Sequence, residues 1–87
     1  MTYSTQWSKV AAKHYRALDK PAREQVDDLI AELAENPRPA GIKPVIGMRG
    51  VFRARTGDYR VLYTVDDDER ELWIEDVRHR SKAYGGH

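Results

Sequence analysis

The apolar spacing of this chain changes once along its length, and that change most constrains what it can fold into. Val26, Leu29, Ile30 and Leu33 recur at i, i+3, i+4 and i+7, the stripe of one helix face. Glu24, Asp27, Asp28, Glu32 and Glu35 decorate the other side. From Arg49 the period drops to two, through Arg49-Gly50-Val51-Phe52-Arg53-Ala54-Arg55 and Tyr59-Arg60-Val61-Leu62-Tyr63-Thr64-Val65. A helix stripe and a strand face each need an apolar partner, so helices must lie on a sheet.

Local signals fill in the order. Residues 3–7 read as a short strand with Tyr3, Thr5 and Trp7 on one face. Ser8 caps a first helix running to about Leu18, with Val10, Ala11, His14 and Leu18 as its stripe. Asp19 caps the second helix, and Pro21 sits in its first turn, where a missing N–H costs nothing. Asn36-Pro37 stops that helix, and residues 37–41 connect it onward. Strands over 49–55, 59–65 and 71–77 are joined by turns at Thr56-Gly57-Asp58 and Asp66-Asp67-Asp68-Glu69. Tyr59 and Tyr63 share a face with Val61 and Val65 and are expected in the core. Trp73, between Leu72 and Ile74, is expected to pack as well. The order β-α-α-β-β-β predicts an α+β fold, with two N-terminal helices packed on a small, mainly antiparallel sheet, and residues 1–87 forming one domain.

Composition excludes whole classes of chemistry. There is no cysteine, hence no disulfide framework, thiolate metal site or thiol nucleophile. His14, His79 and His87 are too far apart in sequence for a spaced metal motif, and His14 belongs to a helix stripe. No apolar run approaches the roughly 20 residues that cross a bilayer, and no signal-peptide pattern opens the chain, so a cytoplasmic protein without a membrane partner is expected.

The formal net charge of +1 hides a segregation. Residues 24–35 hold five acids and no Lys or Arg, whereas residues 49–60 hold four arginines against Asp58 alone. Residues 78–87 add three cations and two histidines without an acid. A near-neutral protein with one basic face still attracts nucleic acid through its local field. Arg53 and Arg55 share a strand face opposite Phe52 and Ala54, with Val51 on their side, and Arg60 enters just across the turn. Arginine is always charged and forked, which suits phosphate, although exposed sheet faces carry arginine for solubility too. In the tail Val77-Arg78-His79-Arg80-Ser81-Lys82-Ala83-Tyr84, His79 has the side chain suited to proton transfer near neutrality. Tyr84 offers a ring for base stacking, worth about 1–3 kcal/mol.

Lys43, the run from Gly47 to Tyr63, and then Val77-Arg78-His79-Arg80 with Tyr84 together resemble the RelE/ParE superfamily of bacterial toxins, RelE-like branch, over nearly the whole chain. The phrase Asp58-Tyr59-Arg60-Val61-Leu62-Tyr63 paired with a closing His-Arg-x-x-x-Tyr carries most of that resemblance. It implies the toxin of a type II toxin–antitoxin system, a ribosome-dependent mRNA endoribonuclease acting in the ribosomal A site. The implied chemistry is attack of a ribose 2′-OH on the adjacent phosphorus, with no metal or other cofactor. The implied partners are a cognate antitoxin, the ribosome with its mRNA, and a toxin–antitoxin hetero-oligomer on operator DNA.

Carried over by position, the resemblance makes Arg53 a basic strand residue of the site. Arg60 and Arg78 become phosphate-side arginines, Tyr84 the ring that stacks on or orients the nucleotide, and His79 the proton-transfer group. Lys43, Arg49, Arg55, Arg80 and Lys82 are the further cations expected to meet RNA. In one respect the chain departs from the pattern. RelE-type enzymes often carry two lysines on the first meander strand; Val51 stands at the earlier position and Arg53 at the later, and arginine scarcely deprotonates. Two other functions remain open at this level: a ParE-like inhibitor of DNA gyrase without nuclease activity, and a non-catalytic binding module.

Overall fold

The structure, a computed structural model, describes residues 2–82. Strand β1 covers Ser4–Trp7, helix α1 Lys9–Arg16 and helix α2 Lys20–Glu35. Strands β2 (Lys43–Pro44), β3 (Phe52–Thr56), β4 (Tyr59–Asp66) and β5 (Glu71–His79) follow, and a 3₁₀ turn spans Arg80–Lys82. The five strands make one sheet in the order β1-β5-β4-β3-β2. β1 runs parallel to β5, and every other pair is antiparallel. The expected α+β architecture is thus present, with one short strand, β2, added.

Both helices start where the sequence predicts. Ser8 accepts the Ala11 N–H on its hydroxyl at 3.0 Å, and Asp19 accepts the Ala22 N–H at 3.0 Å. Each cap satisfies a backbone donor that would otherwise lack a partner. Asn36 closes α2, and the acids of its outer side are all exposed. Its inner side places Val26, Ile30, Leu33 and Ala34 in a common cluster with Ala54, Val61, Tyr63, Leu72, Ile74 and Val77 of the sheet. Burying each of the larger members is worth about 1.5–3 kcal/mol. The stripe expected on α1 is only partly realised. Ala11 is buried and Leu18 packs against the core, but Val10 is 51% exposed.

Two strand boundaries differ from the sequence reading. Arg49 and Gly50 lie in the turn that precedes β3 rather than on the strand, since Gly47 and Gly50 both take positive φ (84° and 77°) and curl the chain. β5 continues past the expected end at Val77 through Arg78 and His79, which pair with Arg60 and Tyr59 of β4. Trp73, expected to pack, is 36% exposed on the side away from the helices, and its Nε1–H donates to Glu71 at 3.1 Å. Alternation between buried Leu72 and Ile74 dictates this.

Two contacts tie the connector after α2 to the sheet. The Tyr63 hydroxyl, fully buried, donates to the Pro37 carbonyl at 2.7 Å. Arg38 makes two hydrogen bonds to Asp67, at 3.2 and 3.0 Å, and the Tyr3 hydroxyl donates to the same carboxylate at 2.7 Å. The Arg38 guanidinium, with help from Tyr3, holds the Asp67 carboxyl below its ordinary range. Those groups are exposed, so they orient the connector more than they stabilise it. No helix among the described residues is long and apolar enough to cross a membrane.

Burial pushes the Tyr63 phenol up to about 12. In the unfolded chain a tyrosine loses its proton near pH 10. Between those values the folded state retains a proton that the unfolded state has lost, so stability falls as pH rises through the interval. Tyr63→Phe is expected to cost about 1–3 kcal/mol at pH 7 by leaving the Pro37 carbonyl unpaired. Urea denaturation at pH 7 and at about 10.5 should also show a shallower alkaline loss in that variant.

Candidate functional site

The site is built on the sheet face turned away from the helices. Ala54, Val61 and Val77 pair across β3, β4 and β5 and point to the core. Their neighbours along each strand must therefore point the other way. Arg55 pairs with Arg60, and Arg60 with Arg78, so three arginines occupy one row across three adjacent strands. Strands lie about 5 Å apart, which spreads the row over about 10 Å. The next row reads Arg53, Leu62, Asp76. Leu62, only 3% exposed and outside the helix-side cluster, gives this charged face an apolar floor.

Gly57 and Asp58 form the two-residue turn that brings Arg55 opposite Arg60. Gly57 has φ +56°, and an added Cβ would lie 2.7 Å from Gln25 Oε1. A glycine in first place is what a tight hairpin of this twist requires. Arg80, first residue of the 3₁₀ turn after β5, clamps the same turn: its backbone N–H donates to the Asp58 carbonyl at 2.7 Å, and its Nε lies 3.5 Å from Asp58 Oδ1.

Arg60 differs from the other cations. It is half-buried, and its Nη1 is buried without a hydrogen-bond partner among the described residues. A buried cationic donor left unpaired is costly, and an anion arriving from solvent would relieve that cost. Arg53, Arg55 and Arg60 also line a cleft of about 730 Å³ beside β3. Lys43 contributes to the same cleft, held next to Arg53 by the β2–β3 pairing, and Leu29 and Leu33 of α2 form its apolar wall.

The structure does not bring all the predicted residues together. His79 follows Arg78 on β5 and so projects to the helix side, where its ring meets Tyr59 edge-on at 5.3 Å. Its Nδ1 accepts the Ser81 backbone N–H at 3.1 Å and lies 2.8 Å from the Ser81 hydroxyl. With His14, Leu18, Val77 and the neighbouring Arg78 it lines a pocket of about 270 Å³, apart from the cleft beside β3. Arg49 is exposed in the turn before β3, and Lys82 ends the 3₁₀ turn. Val51, although on the arginine side of the strand's alternation, is buried. Tyr84 and His87 lie outside the described residues.

One residue that the sequence reading passed over is central to the geometry. Asp76 is 5% exposed and bonds both His14 and Arg78. It sits at a bulge: Leu62 pairs with Asp76 but Tyr63 with Ile74, which leaves Glu75 as the extra residue on β5. The spacing held the signal. Leu72 and Ile74 are two apart, and Val77 is three further on.

The chain belongs to the RelE/ParE toxins: the family model described as the ParE toxin of the type II toxin–antitoxin system parDE matches residues 5–84. It is 33% identical over 84 residues to the toxin RelE of Mycobacterium tuberculosis, covering 94% of this chain and 86% of that one. It is 31% identical over 88 residues to the mRNA interferase toxin RelE of Escherichia coli, covering 97% and 92%. Among solved structures it superposes on the M. tuberculosis RelBE2 toxin–antitoxin complex with a TM-score of 0.81 at 28% identity, over 92% of this chain and 100% of that chain. The archaeal RelE–RelB complex of Pyrococcus horikoshii gives 0.77 at 27% identity, over 95% and 100%.

Because Gly57 sets the opposition of Arg55 and Arg60, Gly57→Ala is expected to cost about 1–2 kcal/mol, the penalty for an L side chain in left-handed backbone. Thermal unfolding reads it; Gln25→Ala should not recover the loss, since the strain lies in φ.

Proposed function

We propose that this chain is the toxin of a type II toxin–antitoxin pair and acts as an mRNA endoribonuclease on the translating ribosome. The observation that carries the proposal is the unpaired, buried Nη1 of Arg60, set in a row with Arg55 and Arg78. The relatives named as RelE toxins and mRNA interferases support the same reading.

In the proposed reaction the ribose 2′-oxygen bonds to the adjacent phosphorus and the bond to the 5′-oxygen breaks. The products are a 2′,3′-cyclic phosphate end and a 5′-OH end. The 2′-OH proton leaves to a base, and the 5′-oxygen gains one. Negative charge gathers on the phosphorane oxygens between these events, and preorganised cations aimed at it lower the barrier. Arg60 is the principal phosphate ligand, with Arg78 on one side and Arg53 and Arg55 on the other. Lys43, Arg49, Arg80 and Lys82 hold the flanking RNA backbone, and Tyr84 stacks on a base. Arginine donates hydrogen bonds but does not shuttle protons at neutral pH. His79 faces the other side of the sheet, so the arginine face supplies charge, and the ribosome-bound RNA supplies alignment and the route for the protons. The proposed action is cytoplasmic, on translated message.

The antitoxin is proposed to be a segment that folds on binding, laying apolar residues along Leu29 and Ile42 and acids against Arg53, Arg55 and Arg60. The resulting pair is proposed to bind operator DNA. Solved relatives were captured with an antitoxin, which supports this partner.

A gyrase-directed toxin is the second reading, favoured by the ParE description of the matching family and by an arginine face without a base. Induction without antitoxin, followed by primer extension on a reporter mRNA, separates the two. Cuts within codons of the translated message, absent from an untranslated copy, are expected. Arg60→Ala should reduce them by about 10²–10³-fold, as for removal of one charge-stabilising donor. Growth arrest with intact mRNA would instead identify the gyrase-directed toxin. Antitoxin binding should weaken steeply as salt rises from about 50 to 200 mM, because the cleft contacts are charge pairs close to solvent; titration calorimetry across that range checks it.

A further inference from the structure

Asp76 is the one buried charged residue among the described residues, and the proposed reaction gives it no direct part. Its burial follows from how the edge of β5 changes neighbour. Pairing with β1 ends at Trp7 and Ile74, the Ser8 N–H donates to the Ile74 carbonyl at 3.0 Å, and its hydroxyl donates to the Glu75 carbonyl at 2.9 Å. From there α1 takes over the edge, and the bulge at Glu75 turns the Asp76 carboxylate beneath it. Bulges recur where a strand has to re-aim a side chain next to a site.

Three donors converge on that carboxylate. His14 Nδ1 lies 2.6 Å from Oδ1, the Val77 backbone N–H donates to Oδ1 at 2.8 Å, and Arg78 Nε donates to Oδ2 at 2.5 Å. A carboxylate offers only lone pairs, so the imidazole donates and its proton sits on Nδ1. As a stabilising device alone this is inefficient, since apolar side chains of similar volume serve a protein interior as well as a buried ion pair does. Its directional effect is stronger. The guanidinium is a rigid plane, and a bond through Nε fixes how that plane is turned. Arg78 stands directly across from Arg60 in the register, so its plane decides what it presents to a phosphate held there.

We infer that Asp76, backed by His14, is a positioning residue that holds the Arg78 guanidinium in the orientation in which it meets the RNA phosphate beside Arg60. This rests on the proposed role of Arg78 as a phosphate ligand. Through it α1, on the far side of the sheet edge, is mechanically part of the site.

The test is single-turnover cleavage of mRNA on programmed ribosomes with toxin in excess. It reads the maximal rate and the half-saturating toxin concentration for wild type, Arg78→Ala, Arg78→Lys, Asp76→Asn and the Asp76→Asn/Arg78→Ala pair. Asp76→Asn keeps the shape and removes the charge. It is expected to slow the maximal rate by about 10–100-fold, the scale of a misplaced catalytic contact, with half-saturation unchanged within about 2-fold. The double variant should be no slower than Arg78→Ala, because the two act as one unit. Arg78→Lys, which keeps charge but loses the plane, should be as slow as Arg78→Ala. A wild-type rate in Asp76→Asn beside a slow Arg78→Ala overturns the positioning role. A wild-type rate in Arg78→Ala overturns the assignment of Arg78 itself. Should Asp76→Asn fail to fold, His14→Ala decides: a slowed rate at an unchanged unfolding midpoint supports the inference, and a wild-type rate reduces Asp76 to a structural acid.

Discussion

The register of β4 between its two neighbours is the constraint on which the rest depends. Val61 and Tyr63 are fully buried against α2 and the facing strands, so β4 can pair with β3 and β5 in one way only. Because side chains alternate with a period of two, a slip of one residue would put Arg60 into the core and Val61 into water. Packing on the helix side thereby aligns Arg55, Arg60 and Arg78 on the other side. No contact among the arginines is needed to assemble their row; the hydrophobic face does it.

That arrangement carries a cost. Like charges in one row repel, and Arg60 buries a nitrogen without a partner. A structure optimised for stability alone would pair these groups, as it pairs Arg38 with Asp67 at the connector. In the proposed role, that one unpaired nitrogen is what an incoming phosphate would engage. Asp76 sits beside the row and engages Arg78 through Nε.

Much of the fold was legible because it is written locally. Ser8 and Asp19 cap by their own side chains, Pro21 and Pro37 act within a turn of themselves, and the stripe 26–29–30–33 needs only helix geometry. The same reasoning failed where an element's limits depend on a partner. β5 runs on through His79 because β4 is there to pair with it, and Arg49 leaves the strand because glycines at 47 and 50 curl the chain first. Trp73 looked like core from its apolar neighbours, but those neighbours, Leu72 and Ile74, are what turn it outward. The cationic strands were identifiable for the same reason that the core was; the separation of His79 from Arg78 was implicit in their adjacency once both were known to lie on a strand.

By itself the sequence determined the two helices and the strands other than β2, which faces are apolar, and that the cations gather on the last strands, since periodicity, caps and charge are properties of neighbours along the chain. Only the tertiary structure decided which arginines stand across from one another, that His79 faces the helices, and that Asp76 is buried between His14 and Arg78. These are matters of pairing between distant segments. A single bulged residue changes them, and the free energy that selects one register belongs to the assembled core rather than to any segment.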